Sequence, residues 1–142
     1  MSGPSFPVRL RVRYAETDQM GVVHHAVYPV WFEAARTELS RAVGLPYSQW
    51  EAAGAFLMVT DLTCRYRRPA HYDEEVTVWV RVAGVASRGV TFEYRVEGPT
   101  GQLLAEGATR HLLVDRATGR PIPLSPAMRA ALLRQPPAKP AG

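Results

Sequence analysis

The segment Val8-Arg9-Leu10-Arg11-Val12-Arg13-Tyr14 alternates apolar and cationic residues without a break, which is the period of a strand with one buried and one wet face. A polar turn follows, Glu16-Thr17-Asp18-Gln19-Met20-Gly21. From Pro29 to Val43 the period lengthens, and Tyr28, Trp31, Phe32, Ala34, Ala35, Leu39, Ala42 and Val43 cover well over half of a helical circumference. A helix of that composition, about 22 Å long at 1.5 Å per residue, is buried on most sides. Pro29 suits its first turn, where a missing N–H is harmless, and Gly44 followed by Pro46 stops it.

Downstream the period returns to two. Strands are predicted over Phe56–Arg67, Glu75–Ala86, Gly89–Glu97 and Gln102–Val114. Val76, Val78, Val80 and Val82 share one face, as do Val90, Phe92, Tyr94 and Val96. Phe56, Met58, Leu62, Cys64 and Tyr66 also share a parity, so Cys64 reads as a small core residue and not as a nucleophile. The short connections Ser87-Arg88-Gly89 and Gly98-Pro99-Thr100-Gly101 make their flanking strands antiparallel neighbours. Strands this long must curve to stay in one sheet. One helix is available to cover that sheet, so the sheet wraps it. Trp79, Leu57 and Val59 are expected to point outward and to be buried between subunits, in a homodimer or a dimer of dimers. Ser125 before Pro126 reads as the cap and first position of a short helix ending at Leu133. The predicted class is α+β, in the order β-α-β-β-β-β with a short C-terminal helix. Residues 1–134 form the single domain and 135–142 a disordered tail.

A chain of 142 residues suits one domain with one core. Cys64 is the only cysteine and cannot close an intrachain disulfide. One Cys and four His do not make a structural zinc site, so no metal is expected. A reducing, cytoplasmic setting follows. No apolar stretch is long enough for a membrane span, and the opening MSGPSFPVRLRVRY has no apolar core of a secretion signal. The net charge is +4, and Lys139 is the only lysine among the seventeen basic residues. The arginines are scattered through alternating strands and form no basic run, so a solvated face is the first reading, an anionic small molecule the next, and a nucleic acid rests on charge alone. No glycine-rich phosphate loop or dinucleotide fingerprint is present, and neither NAD nor ATP is expected as a cofactor.

The run Tyr14-Ala15-Glu16-Thr17-Asp18-Gln19-Met20-Gly21-Val22-Val23-His24-His25-Ala26-Val27-Tyr28 resembles the signature of the 4-hydroxybenzoyl-CoA thioesterase family of hot-dog proteins. It is especially similar to the acyl-CoA thioesterases associated with the Tol–Pal envelope system. A second stretch, Tyr66 to Val76, with its Pro69-Ala70, Tyr72 and acidic residues, matches the same family. The resemblance runs from roughly Val8 to Pro123. It implies a hot-dog fold, hydrolysis of an acyl-CoA to free acid and coenzyme A, and no cofactor beyond the coenzyme A of the substrate. It also implies a catalytic carboxylate at Asp18, a backbone N–H from the helix start near His25, and a dimeric site completed by the partner near Gly54 to Phe56. Tyr14, Gly21, Val22, Tyr28 and Phe56 would line the substrate. His25 stands where hydroxybenzoyl enzymes carry Tyr, which favours the His-bearing acyl-CoA branch.

A thioester is already activated, so its hydrolysis needs a nucleophile or base and a stabilised oxyanion. Asp18 can attack directly, giving a mixed anhydride, or deprotonate a water. The helix start offers orphan N–H groups to the oxyanion, and His25 can donate to the carbonyl or orient Asp18. Arg88, Arg116 and Arg120 are the candidates for the phosphates of coenzyme A. Glu33 and Arg36 are expected to pair along the helix. A hot-dog hydratase would carry Asp-x-Asn-Pro-x-His, and this chain has no Asn. A non-catalytic binder of acyl-CoA or acyl-carrier protein is the other alternative.

Overall fold

A computed structural model describes residues 5–134; the tail expected at 135–142 lies outside them. The elements are β1 (Phe6–Arg11), a single 3-10 turn (Tyr14–Glu16), α1 (Val27–Ala42), α2 (Tyr47–Ala52), β2 (Ala55–Tyr66), β3 (Glu75–Val85), β4 (Gly89–Glu97), β5 (Leu103–Asp115) and α3 (Pro126–Leu133). The five strands form one antiparallel sheet in the order β1-β3-β4-β5-β2. β1 and β2 are its two edges, and α1, which joins them, crosses the sheet. Its buried face (Tyr28, Trp31, Phe32, Ala35, Leu39) meets Val76, Val78, Val80, Phe92, Tyr94 and Val96. α1 packs chiefly on β3 and β1 and far less on β2.

Gly107 shows how close the helix comes. A Cβ there would lie 2.2 Å from the Thr63 carbonyl oxygen and 2.8 Å from the Phe32 ring. Its absence lets Phe32 reach the sheet and stack on Tyr94, centroids 4.2 Å apart and planes within 7°.

The structure departs from the sequence pattern in three places. α2 was not anticipated: it has one buried residue, Trp50, and so no repeat to detect. The Trp50 indole N–H donates to Ser40 Oγ at 3.1 Å and anchors α2 to α1. β2 carries a bulge between Val59 and Asp61, and one extra residue inverts the parity of everything beyond it. Leu57 and Val59 therefore stand opposite Leu113 and His111 on the helix side, and Leu62, Cys64 and Tyr66 take over that face after the bulge. Phe56 and Met58 lie on the other face from Cys64, and Leu57 packs against the core instead of pointing outward. Cys64 does pack against the core, half-buried. Trp79 does lie on the outer face of β3, its indole N–H on Glu97 Oε1 at 3.0 Å. Third, Glu33 and Arg36 do not pair. Arg36 turns inward and donates to the Tyr94 hydroxyl at 3.5 Å, while Glu33 stays exposed.

Candidate active site

The chain leaves β1 at Arg11, and Val12 is pinned to the turn just before β3 by hydrogen bonds with Glu74 and Asp73. The 3-10 turn then delivers Thr17 to an antiparallel pairing with Val23. Between them Asp18 N–H donates to the Val22 carbonyl at 2.8 Å and Gly21 N–H to the Asp18 carbonyl at 3.0 Å. Gly21 sits at φ +80°, a left-handed backbone that glycine adopts without strain. The Asp18 carboxylate is half-buried, and its Oδ1 accepts from Met20 N–H at 2.8 Å and Val22 N–H at 3.4 Å. Among the described residues no donor reaches Oδ2, so this oxygen is open to attack a carbonyl or take a proton from water.

The second sequence match folds onto the first. Val22 pairs with His71, and Val23 N–H donates to the Ala70 carbonyl at 2.9 Å. His24 closes the entry to α1: its Nδ1 accepts from Ala26 N–H at 3.1 Å and its carbonyl from Val27 N–H at 3.0 Å. His25 is exposed, its ring stacked on that of His24 at 4.3 Å, and its carbonyl accepts from the Tyr66 hydroxyl at 2.8 Å. Desolvation, with Cys64 and Tyr28 close by, pushes the Tyr66 phenol up to about 12, so it remains a donor. Tyr28 is buried edge-on to both Trp31 (4.9 Å) and Tyr66 (5.1 Å). Burial raises its phenol as well, against a hydrogen bond at Ala70. Tyr14, largely exposed, meets Tyr72 edge to face at 5.6 Å on the outer rim.

Sequence reasoning missed Glu16. It is 7% exposed, and its carboxylate accepts from the Arg13 backbone N–H at 2.8 Å and the Trp31 indole N–H at 3.1 Å. The spacing Arg13 to Glu16 is that of a capping box, but Arg at the cap position hid the signal.

The remaining candidates stand elsewhere. The registers Ala55 with Asp115 and Gly89 with Leu112 put Phe56, Arg88, Arg116 and Arg120 at one end of the sheet. Tyr66 with Ala105 and Arg11 with Glu75 put the Asp18 loop at the other. The ten steps along β2 from Phe56 to Tyr66 span roughly 33 Å at 3.3 Å each. Arg116 holds its end together: its N–H donates to the Gly54 carbonyl at 2.8 Å, and its guanidinium lies 5.7 Å from the Phe56 ring centre and donates to the Tyr47 hydroxyl at 3.3 Å. Arg88 and Arg120 are exposed in the β3–β4 and β5–α3 turns. One chain thus brings together Asp18, Gly21, Val22, His25 and Tyr28 near the start of α1, with Tyr14 at the rim, and leaves Phe56 and the three arginines away from them.

A cavity of about 160 Å³ lies between α1, α2 and β2, lined by Arg36, Ser40, Tyr47, Trp50, Leu57 and Phe92 among others. Among the described residues no cluster of three or more His, Cys, Asp or Glu could hold a metal, and no helix is long and apolar enough to cross a membrane.

The family description of the thioesterase-like superfamily matches residues 12–132. The Bacillus subtilis protein YneP, whose name marks it as a candidate acyl-CoA thioesterase, is 37% identical over 80% of this chain and 82% of its own. A Thermus thermophilus protein of known structure, TT1821, is 47% identical and superposes with a TM-score of 0.84 over 89% of this chain and 96% of its own. The DHNA-CoA thioesterase of Staphylococcus aureus is 32% identical, with a TM-score of 0.86 over 89% and 87%. With most of its length matched and its sheet wrapped on one central helix, the chain belongs to the thioesterase-like superfamily and has the hot-dog fold.

Proposed function

We propose that this protein hydrolyses acyl-CoA thioesters to a free acid and coenzyme A, with Asp18 as the reacting carboxylate. The observation that carries the reading is the Asp18 loop itself: one carboxylate oxygen fixed by two backbone N–H groups, the other with no donor among the described residues, in the loop that leads into the central helix. Oδ2 either attacks the thioester carbonyl, expelling the thiolate and leaving a mixed anhydride that water then opens to the free acid and Asp18, or accepts the proton of a water that attacks the carbonyl and expels the thiolate. The developing oxyanion is met by backbone N–H groups and the positive dipole end at the start of α1. The Tyr66 hydroxyl, on the His25 carbonyl, fixes the backbone that presents them. Coenzyme A leaves as the thiol once it takes up a proton, and the relay we assign to it is His25, which is exposed beside the helix start.

The working unit is a dimer built on β2. That strand is a sheet edge of 12 residues with Met58, Val59, Leu62 and Tyr66 exposed, the kind of edge that pairs with another chain. Antiparallel pairing about a two-fold axis sets the start of one β2 beside the end of the other. Phe56 and Arg116 of one copy then approach the Asp18 loop of its partner, together with Arg88 and Arg120 as anchors for the coenzyme phosphates. The groove between β1 and α1, about 650 Å³ and bordered by Phe6, Val8, Leu10 and Val30, offers a second face for a dimer of dimers. The lone, half-buried Cys64 fits a reducing, cytoplasmic setting. The reading is tested by thiol release from short-chain, long-chain and aryl-CoA thioesters: turnover of at least one series is expected, and binding without turnover of any would make the protein an acyl-CoA binder.

A further inference from the structure

We propose that Glu16, which the chemistry above does not use, is the positioning residue that sets where Asp18 stands relative to the start of α1; this rests on Asp18 being the reacting group. A carboxylate withdrawn from water is tolerated when several donors reach it, and three reach Glu16. The Arg13 backbone N–H donates to Oε1 at 2.8 Å, while the Trp31 indole N–H and the Arg13 guanidinium donate to Oε2 at 3.1 and 3.4 Å. The Glu16 carbonyl in turn accepts His24 N–H at 2.9 Å. One residue therefore ties together the turn two positions ahead of Asp18, the segment that enters the helix, and the body of α1 one turn inside it. The circuit closes through the aromatic contacts of Trp31 with Tyr28 and of Tyr28 with Tyr66, and through the Tyr66 hydroxyl to the His25 carbonyl. The Asp18 loop hangs from this frame at the pairing of Thr17 with Val23.

Every partner of the Glu16 carboxylate is a donor, so an amide cannot replace it. Glu16→Gln turns one acceptor into an NH2 group, which faces either the Arg13 N–H or the Trp31 N–H, donor against donor. Trp31→Phe removes one of these donors and leaves at Oε2 only the Arg13 guanidinium, an exposed group that can swing into solvent, so the NH2 group no longer meets a fixed donor.

The test compares E16Q, W31F and E16Q/W31F with wild type for acyl-CoA hydrolysis, thermal stability and amide hydrogen exchange. E16Q is expected to lower kcat about tenfold, since a displacement below an ångström at a reacting group has effects of that order, with KM within about twofold. Exchange of the Met20 and His24 amides, which report the Asp18 turn and the Glu16 carbonyl, should accelerate, while Val78 and Tyr94 in the sheet keep their protection. The double variant should recover part of the lost kcat. A purely structural role would instead lower the melting temperature and exchange protection throughout with kcat intact well below the melting point, and that overturns the proposal. If the wild-type protein hydrolyses no thioester, the functional reading falls on its own; unchanged Met20 and His24 exchange in E16Q then overturns the positioning role separately.

Discussion

Two polar clusters flank α1, and they are built from similar materials. At the helix start stand Arg13, Glu16, Asp18 and Trp31; beneath its middle stand Arg36, Tyr94, Thr109 and His111. The second is sealed, with Tyr94, Thr109 and His111 each no more than 3% exposed. Arg36 donates to the Tyr94 hydroxyl at 3.5 Å, Tyr94 and Thr109 share a hydrogen bond of 2.6 Å, and Thr109 Oγ1 lies 2.8 Å from His111 Nε2. Among the described residues no partner meets His111 Nδ1. The first cluster is half open to water, and its second carboxylate keeps an oxygen free. Chemistry needs an unspent valence that a substrate can reach, which the Asp18 cluster has; the interior cluster has one unpartnered polar atom too, His111 Nδ1, but it is sealed inside the sheet.

The sharpest way to break this contrast is to remove one polar function from each cluster. Asp18→Asn keeps shape and hydrogen bonding but deletes both nucleophile and base. Its kcat should fall by more than about 10²-fold with coenzyme binding little changed, because general-base catalysis alone is worth roughly 10²–10⁴. Thr109→Val, which cuts the interior chain, should lower the melting temperature and leave kcat within a few-fold of wild type. Single-turnover kinetics and calorimetry read the two outcomes, and a catalytic loss of equal size in both variants would erase the distinction.

A second effect concerns pH. Burial, and then the charge of Arg36, hold the His111 imidazole at about 4, against 6.5 when free. The unfolded chain therefore binds a proton between those values that the folded chain refuses, and stability rises with pH across that window. The contribution is complete above pH 6.5 and is lost on acidification towards pH 4, on the order of 3 kcal/mol in all at 1.36 kcal/mol per unit. In urea titrations the difference in stability between wild type and His111→Gln should shrink as pH falls from 6.5 to 4. A difference that stays flat would mean that His111 charges freely in the folded state.

Much of this architecture was legible beforehand, and the reasons differ by element. α3 begins at Pro126 as read, because Ser125 caps it through a hydrogen bond from Met128 N–H at 3.1 Å, a signal confined to four residues. The β3–β4 and β4–β5 hairpins were readable for the same reason, since glycine-bearing turns are local. The bulge in β2 was not, because a parity argument assumes unbroken pairing and the extra residue matters only against β5. Glu16 looked like one more acid in a wet turn; its burial depends on Trp31, fifteen positions on. Asp18 was singled out by the family signature and not by its composition. The separation of Asp18 from Arg88, Arg116 and Arg120 lay in the strand order, which no local pattern carries.

That separation yields the smallest predicted effect and the most specific geometry. If the partner's arginines hold the coenzyme phosphates, they act far from the reacting carbon and bind ground state and transition state alike. Their loss should raise KM and spare kcat. Each exposed contact is worth on the order of 1 kcal/mol or less in physiological salt, so Arg116→Ala alone should change KM only several-fold, and the variant with Arg88, Arg116 and Arg120 all replaced by Ala somewhat more. A mixing experiment then asks which chain supplies them. In a dimer of one D18N chain and one triple-Ala chain, one site carries both defects, and the other joins an intact Asp18 to the intact arginines of its neighbour. Exchange of subunits between the two preparations should therefore create a component with wild-type KM that neither parent has. If mixing returns only the high KM of the triple-Ala parent, the arginines serve their own chain, and the phosphates must lie along the 33 Å or so of sheet between them and Asp18.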